Sequence, residues 1–569
     1  MLNQKWSIRS FGIYLGLVVC LLTACSTKQV EAGSSETSKD YLQAGEQDMQ
    51  AWREMKFGLF IHWGPVSLKG TEIGWSRGGE RRGQGGKGEI PFEEYDNLYK
   101  QFNPVKFNAD EWVQLAKDAG MKYLVFTSKH HDGFSMFDSE HTDYKISNSP
   151  FKRDVVRELA DACHKAGFKL GYYYSPVDWY HPDYRTENHA HYIEFLHGQI
   201  RELCTNYGKL DIMWFDGLGG SAKDWDSENL FRMIRRLQPH IIINNRAGLP
   251  ADHDTPEQRI GKFQTDRPWE TCMTICHQWA WKPNDQMKSL KQCIQTLVKV
   301  VGGDGNLLFN VGPMPDGRIE PRQVDRLREM GRWLTKYGQT IYGTRGGPFK
   351  TGSWGASTHK GKTIYIHVFN WDGDTLTLPP IPKRIIVSSV LTGGTATVKQ
   401  NKEAIEISIP NAYQQELDTI IKLQLDGPAN EIAPRAMLSG SLAIAKKVTA
   451  SNFFQNTPQY APYKAVDDDP ATRWATDTGT KQAWLEVDLG KPMTFDRASI
   501  SEDFDRVQQF KLEYNNDEQW RTFAEGTKIG KKLKLEFSPV TARYVRLSIL
   551  DATDGPTIWE FQLFAPKSR

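Results

Sequence analysis

The amino-acid sequence predicts an α/β protein: a (β/α)8-like barrel followed by two β-sandwich domains. Three observations carry that expectation. Short apolar runs alternate with amphipathic segments over roughly 300 residues, the rhythm of parallel strands joined by helical crossovers. No glycine-rich phosphate loop follows the first run, which counts against the rival architecture, a doubly wound sheet. Beyond about residue 346 the pattern changes to short, turn-bounded segments rich in β-branched residues.

The runs Phe57–Trp63, Tyr123–Ser128, Lys169–Ser175, Leu210–Asp216 and His240–Asn245 each read as a buried strand. Between them, Asn108–Gly120 has the form of a helix, with an N-cap, early acids, apolar spacing and a closing glycine. Arg153–Gly167 and Glu187–Gly208 repeat that form, and a further helix is expected near Asp325–Tyr337. The segments Thr363–Phe369, Arg384–Val390 and Ala404–Ile409 then predict a small β-sandwich over about 346–427. After Gly427-Pro428-Ala429-Asn430 the strand pattern restarts.

Length and composition set the frame. At 569 residues the chain exceeds what one core supports, so two to four domains are expected. With 71 Lys+Arg against 69 Asp+Glu the net charge is +2, which gives no electrostatic case for a nucleic-acid or anionic-membrane partner. Lys5 and Arg9 precede an apolar stretch, Phe11–Leu22, that reads as a secretory signal and is too short to span a bilayer. Leu22-Thr23-Ala24-Cys25 resembles a bacterial lipobox. Residues 1–25 are therefore expected to be a lipoprotein signal, Cys25 a lipid anchor, and 26–44 a tether of an exported, periplasmic or cell-surface protein. The remaining cysteines, Cys163, Cys204, Cys272, Cys276 and Cys293, are odd in number and argue against a disulfide framework. Cys272 and Cys276 lack a second ligand pair at zinc spacing. The 18 tryptophans suit either sugar stacking or core packing.

Function is carried by what ends each run: His62 and Trp63, then Lys129-His130-His131-Asp132, Tyr174 and Asp178, Asp216, and Asn245-Arg246. In a barrel the carboxyl ends of the strands converge on one face, so these groups would surround a single pocket. Asp216 closes a strongly apolar run, Trp214-Phe215-Asp216-Gly217.

Six ordered blocks, Phe57–Gly64, Ser128–Phe134, Trp214–Gly217, Thr255–Gln258, Pro268–Cys272 and Gly305–Pro313, resemble glycoside hydrolase family 29, the α-L-fucosidases, over about residues 45–345. The resemblance implies retaining removal of terminal α-L-fucose without a cofactor, with Asp216 as nucleophile. It also implies a fucose subsite of His62, His130, His131, Tyr174, Trp214 and Arg246, with Trp279 as an aromatic wall near the sugar methyl. Retention needs a second carboxyl group as acid/base. Glu257 and Glu270 are the candidates, and Glu257 is favoured because the family's proton donor lies in a loop about forty residues after the nucleophile. Relatives with broad leaving-group tolerance carry a Glu in the loop aligned with 71–76; the alignment puts Gly74 there, with Glu72 two residues away, which implies a preference for α-1,3 and α-1,4 linkages.

Ala465–Trp474, Trp484–Gly490 and Ala542–Leu547 resemble a discoidin-type β-sandwich, the fold of family 32 carbohydrate-binding modules, over about 436–567. That resemblance implies a structural Ca2+ on Asp467, Asp469, Thr472 and Glu560 with a carbonyl near Lys464. The leading expectation is an exo-α-L-fucosidase acting on fucosylated glycans, touching a membrane only through Cys25. A non-catalytic glycan-binding lipoprotein, or a hydrolase of a related sugar such as α-L-galactose, are the rivals.

Overall fold

The computed structural model describes residues 40–566 except 372, 438, 469–471 and 517–518. The leader, Cys25 and most of the expected tether lie outside the described residues. Seven strands, β1 (Phe57–Ile61), β2 (Tyr123–Lys129), β3 (Lys169–Tyr174), β4 (Ile212–Phe215), β5 (Ile242–Ile243), β6 (Glu270–Thr274) and β7 (Asn306–Val311), form one sheet in the order β5-β4-β3-β2-β1-β7-β6. All of its ladders are parallel. The run predicted over His240–Asn245 forms a ladder at only two residues.

The gap between β5 and β6 is bridged by the segment 253–257. It pairs singly with β5's continuation at Asn244↔His253 and with the β6 side at Asp254↔Trp269 and Glu257↔Cys272. An irregular eighth element thus closes the barrel-like sheet and carries Glu257 at its carboxyl end.

Eight helices, α1 (Glu46–Met55), α2 (Phe92–Tyr95), α3 (Ala109–Asp118), α4 (Val155–Ala166), α5 (His189–Thr205), α6 (Ser227–Leu237), α7 (Leu290–Gly302) and α8 (Pro321–Tyr337), accompany these strands. Their starts are written in the sequence. Asn108 accepts the Glu111 amide ahead of α3, Asp154 accepts the Arg157 amide ahead of α4, and Ser289 with Gln292 forms a capping box on α7. Side-chain alternation along the strands then sorts two cores. Phe60, Tyr123, Val125, Tyr173, Ile212, Trp214, Cys272 and Leu308 fill the barrel interior. Leu59, Ile61, Leu124, Phe126, Tyr172, Tyr174, Met213 and Phe215 pack outward in the main hydrophobic core that includes helix residues.

At the amino end of the barrel Asp304, fully buried, receives Arg53 at 2.8 Å and Arg345 at 2.5 Å, with Lys56 at 3.8 Å. Burial opposes the Asp304 carboxylate, but these cations pull its pKa below the usual value. Arg345 belongs to the next region, so the pair ties barrel to sandwich. There, strands over 385–390, 419–425, 363–368, 355–360 and 345–346 make one sheet, and 375–378, 405–408 and 397–400 a second. Ile364, Ile366, Leu376, Ile405, Ile407 and Leu423 share the core of this region, while Ala356, Phe369 and Ile420 join the barrel's outer core.

The last region is a seven-stranded antiparallel sheet whose 483–502 and 533–552 strands each run 20 residues. Their pairing shifts register at Asp488/Met493 and Phe495/Arg497. Trp474, Leu485, Val487, Phe510, Leu547 and Phe561 lie in its own core. All five cysteines of the described residues are free and buried.

Candidate active site

The carboxyl ends of the strands converge on a pocket lined by Phe60, His62, Trp75, His130, His131, Tyr173, Trp214, Asp216, Leu218, Arg246, Glu257, Cys272 and Trp279. Eight of the residues singled out in the sequence are therefore brought together. Asp216 follows β4 directly and is 9 % exposed. Its Oδ2 accepts the Tyr173 hydroxyl at 3.0 Å and its Oδ1 faces Arg246 Nη1 at 3.2 Å. The same Nη1 reaches Glu257 Oε2 at 2.8 Å. A single nitrogen thus bridges both carboxylates, so the two oxygens are at most about 6 Å apart.

Arg246 is itself fixed. Its Nε donates to Thr255 Oγ1 at 2.9 Å, its Nη2 to the Thr255 carbonyl at 3.0 Å, and its guanidinium lies 4.9 Å from the Trp214 ring centroid. Burial alone would lower its pKa; Asp216, and then Glu257, raise it above the ordinary arginine value. It remains a cation at any working pH.

The histidines form one wall. His131 Nδ1 contacts Ser175 Oγ at 2.6 Å, and its Nε2 is 3.6 Å from Asp216 Oδ2. Burial lowers this imidazole to about 4 despite the neighbouring carboxylate. His130 stacks on Tyr173 with an interplanar angle of 7°, and burial puts it well below the usual histidine value. His62 packs against Trp279 at 4.8 Å. Burial favours the neutral form of all three rings; His62 and His131 are hydrogen-bonded through Nδ1, to Asn310 and Ser175.

Several expectations need correction. Tyr174 does not line the pocket: alternation points it outward, where its hydroxyl donates to Gln199 Oε1 at 2.7 Å. Tyr173, in register with the inward-facing Trp214, takes the inner position. Trp63 packs among Phe102, Phe107 and Trp112 instead. Lys129 and Asp178 form a buried pair at 3.0 Å outside the pocket lining, and Asp132 accepts the Tyr95 hydroxyl. Glu270 lies at the amino end of β6, below the pocket floor, bonded by the Tyr123 hydroxyl and by Trp214 Nε1 at 3.2 Å. Of the two acid/base candidates, only Glu257 lines the pocket beside Asp216.

In the 71–76 loop, Gly74 has φ +67°, and a Cβ there would sit 2.7 Å from His130 Nδ1. Glu72 turns away to accept the backbone amides of Trp279 and Ala280, each at 3.0 Å. Neither residue supplies a carboxylate to the pocket lining. Sequence reasoning missed Phe60, Trp75, Tyr173, Leu218 and Cys272. The signal for Tyr173 was parity with Trp214; the others carry no chemical marker. A more open depression of about 340 Å3, lined by Glu140, His141, Asp143, Tyr180 and His181 among others, lies elsewhere and does not include the carboxylate pair.

In the last region Thr472 Oγ1 donates to Asp467 at 2.8 Å and lies 3.4 Å from the Lys464 carbonyl; Glu560 is buried on the 557–564 strand. Lys464 Nζ is also 3.2 Å from Asp467. Asp469 lies outside the described residues. Among the described residues no three His, Cys, Asp or Glu side chains gather as a metal site.

The α-L-fucosidase family model matches residues 22–339, and the F5/8 type C domain model matches 447–561. A tissue α-L-fucosidase of Macaca fascicularis is 28 % identical over 405 residues, 65 % of this chain and 86 % of that protein. The plasma α-L-fucosidase of Homo sapiens is 30 % identical over 57 % of this chain and 76 % of its own. Among solved structures, α-L-fucosidase isoenzyme 1 of Paenibacillus thiaminolyticus superposes with a TM-score of 0.62 at 34 % identity, covering 67 % of this chain and 99 % of that one. A Bacteroides thetaiotaomicron α-L-fucosidase trapped as a covalent intermediate superposes at 0.61 with 28 % identity, covering 68 % and 97 %.

Proposed function

Because this chain belongs to the α-L-fucosidase family of glycoside hydrolases, we propose that it removes terminal α-L-fucose with retention, through a fucosyl-enzyme intermediate on Asp216, with Glu257 as acid/base. The observation that carries this reading is the single Arg246 nitrogen between the two carboxylates. It brings one oxygen of each carboxylate within about 6 Å of the other, which suits the close spacing of a retaining pair better than the roughly 6.5–9.5 Å an inverting pair needs to admit a water. Asp216 attacks the anomeric carbon while Glu257 passes a proton to the departing oxygen; Glu257 then takes a proton from the water that releases fucose. The covalent intermediate trapped in the Bacteroides relative supports the same course. No step calls for a cofactor.

His62, His130, His131, Trp214 and Arg246 then face the fucose ring, where buried polar partners reject sugars lacking the matching hydroxyls. Trp279 offers its flat face to the methyl group. The lack of a pocket carboxylate from Gly74 or Glu72 favours α-1,3- and α-1,4-linked branches as substrates.

The reading extends to two features outside the pocket. By the discoidin resemblance, Asp467, Asp469, Thr472 and Glu560 with the Lys464 carbonyl would supply hard oxygen ligands to a Ca2+ that rigidifies the last region, while the Lys464 ammonium beside Asp467 competes for that place. A Ca2+-dependent rise in unfolding temperature, abolished by Asp467→Ala, is expected. Export and anchoring through Cys25 predict that the protein partitions with membranes and that Cys25→Ser releases it.

The test of the main reading is fucose release from α-1,2-, α-1,3-, α-1,4- and α-1,6-fucosylated oligosaccharides, with Asp216→Asn beside wild type. Release by wild type alone, fastest from α-1,3 and α-1,4, is expected. Binding of these glycans without release by either protein would favour the non-catalytic reading; release of α-L-galactose in preference to fucose would favour the other-sugar reading.

A further inference from the structure

In the wall of the pocket a short buried chain of groups has donor and acceptor roles that are fixed by elimination. Asn310, on β7, is 1 % exposed. Its Nδ2 is 2.7 Å from the Trp279 carbonyl oxygen, and its Oδ1 is 2.7 Å from His62 Nδ1. A carbonyl can only accept, so the edge of the amide that faces Trp279 must be the NH2 group. Oδ1 therefore faces His62, and because it too can only accept, Nδ1 must carry the hydrogen. A neutral imidazole has one such hydrogen, so Nε2 is left with a bare lone pair.

The ring has little freedom to do otherwise. Phe60 packs on it at 4.5 Å and Trp279 at 4.8 Å, while the His62 backbone amide donates to the Val311 carbonyl at 3.1 Å. The titratable groups that face it are His130 and His131 after β2, Tyr173 on β3 and Asp216 after β4. Burial pulls the His62 imidazole down to about 3, and the Asn310 bond and the Asp216 charge offset this only in part.

We infer that Asn310 is a positioning residue that locks His62 in the Nδ1–H tautomer, so that Nε2 meets the substrate as an acceptor for a sugar hydroxyl, and that Asn310 and Glu72 together hold the Trp279 peptide from both ends. The inference rests on the reading of this pocket as the sugar site. One amide couples two parts of that site: the group that reads a hydroxyl and the backbone that carries the aromatic wall. On the far side Glu72 Oε2 accepts the Trp279 amide and Oε1 the Ala280 amide. An Nε2–H tautomer, or an imidazolium, would present a donor where the sugar is expected to donate.

The tautomer is measurable without substrate. Imidazole nitrogen NMR of the full-length wild-type protein, with His62→Gln to identify the resonance, should show Nδ1 protonated and Nε2 bare from about pH 5 to 8. An Nε2–H signal, or titration of His62 within that range, would overturn the inference. Because this readout needs no turnover, its failure is distinct from failure of the fucosidase reading. Asn310→Asp gives a second readout: a carboxylate cannot donate to the Trp279 carbonyl and favours the imidazolium. The acid limb of kcat/KM should move up by about one pH unit or more, with the plateau about tenfold lower. A folded Asn310→Asp enzyme with the wild-type pH profile would reduce Asn310 to a space-filler; if that variant does not fold, the wild-type spectrum decides.

Discussion

Two buried ends of one barrel use carboxylates in opposite ways. At the carboxyl end Asp216 and Glu257 share Arg246, and Glu257 is left 41 % exposed on an irregular segment. At the amino end Glu270 is sealed at 1 % exposure and is bonded by neutral donors, Tyr123 and Trp214. Burial raises the Glu270 pKa to about 7, against the lowering effect of those two bonds. A perturbed carboxyl group is often taken as the mark of catalysis. In this barrel the glutamate whose pKa burial raises, Glu270, lies below the pocket floor, and the pair that lines the pocket is recognised by geometry. Access to a substrate, not the size of a shift, separates the reacting end from the structural one.

The sharpest way to break that comparison is to remove the carboxylates at each end. Asp216→Ala should lower kcat by about 10³-fold or more, and Glu257→Gln by about 10²–10⁴-fold, with the Glu257 deficit smaller on fucosides whose leaving group needs no protonation. Glu270→Gln should keep kcat within about threefold of wild type, since it touches no reacting atom; a loss as deep as that of Glu257→Gln would reverse the assignment.

Next in size is the ion-pair cluster at the amino end. Asp304→Ala strands Arg53, Lys56 and Arg345 around an empty position and should cost about 3–5 kcal/mol in urea unfolding. Activity per folded molecule should be unchanged.

Glu270 makes the pH prediction. Its folded pKa of about 7 lies above the ordinary 4.5, so the folded state binds its proton more tightly than the unfolded chain. Its contribution is present below about pH 4.5 and is lost as pH rises toward 7, on the order of 3 kcal/mol in all. Glu270→Gln should flatten stability across that window, as read from unfolding midpoints at a series of pH values. An identical pH dependence in both proteins would show that Glu270 does not titrate there.

The smallest contrast is between adjacent tyrosines. Tyr173→Phe removes a donor to Asp216 and should lower kcat/KM by about tenfold, whereas Tyr174→Phe breaks only the bond to Gln199 and should leave kinetics alone.

That pair also shows what was legible in the sequence. The positions of His62, His130, His131, Asp216 and Arg246 followed from one rule, that strand ends in a barrel face a common pocket. Tyr173 and Tyr174 could not be told apart because β3 is buried on both faces, so hydropathy does not mark its inner side. Only the register with Trp214 does so. Glu257 was favoured through the family resemblance, whose proton donor follows the nucleophile by about forty residues; its place on a segment joined only by single bridges carries no strand signature of its own. The helices expected over Asn108–Gly120 and Arg153–Gly167 were readable because their caps are local: Asn108 and Asp154 each satisfy an amide three residues on, whereas α7, with its equally local capping box at Ser289, was not among the helices expected. Glu72 reaches Trp279 and Ala280, and Asn310 reaches His62, across more than 200 residues of sequence, and no local pattern announces such bonds.

The measurement that tests the central claim most directly is the anomeric form of the first fucose released, followed by proton NMR before mutarotation. Two displacements, one on Asp216 and one by water, predict α-L-fucose as the first product. Appearance of β-L-fucose first would mean a single displacement by water, and would contradict both the nucleophile role of Asp216 and the acid/base role of Glu257.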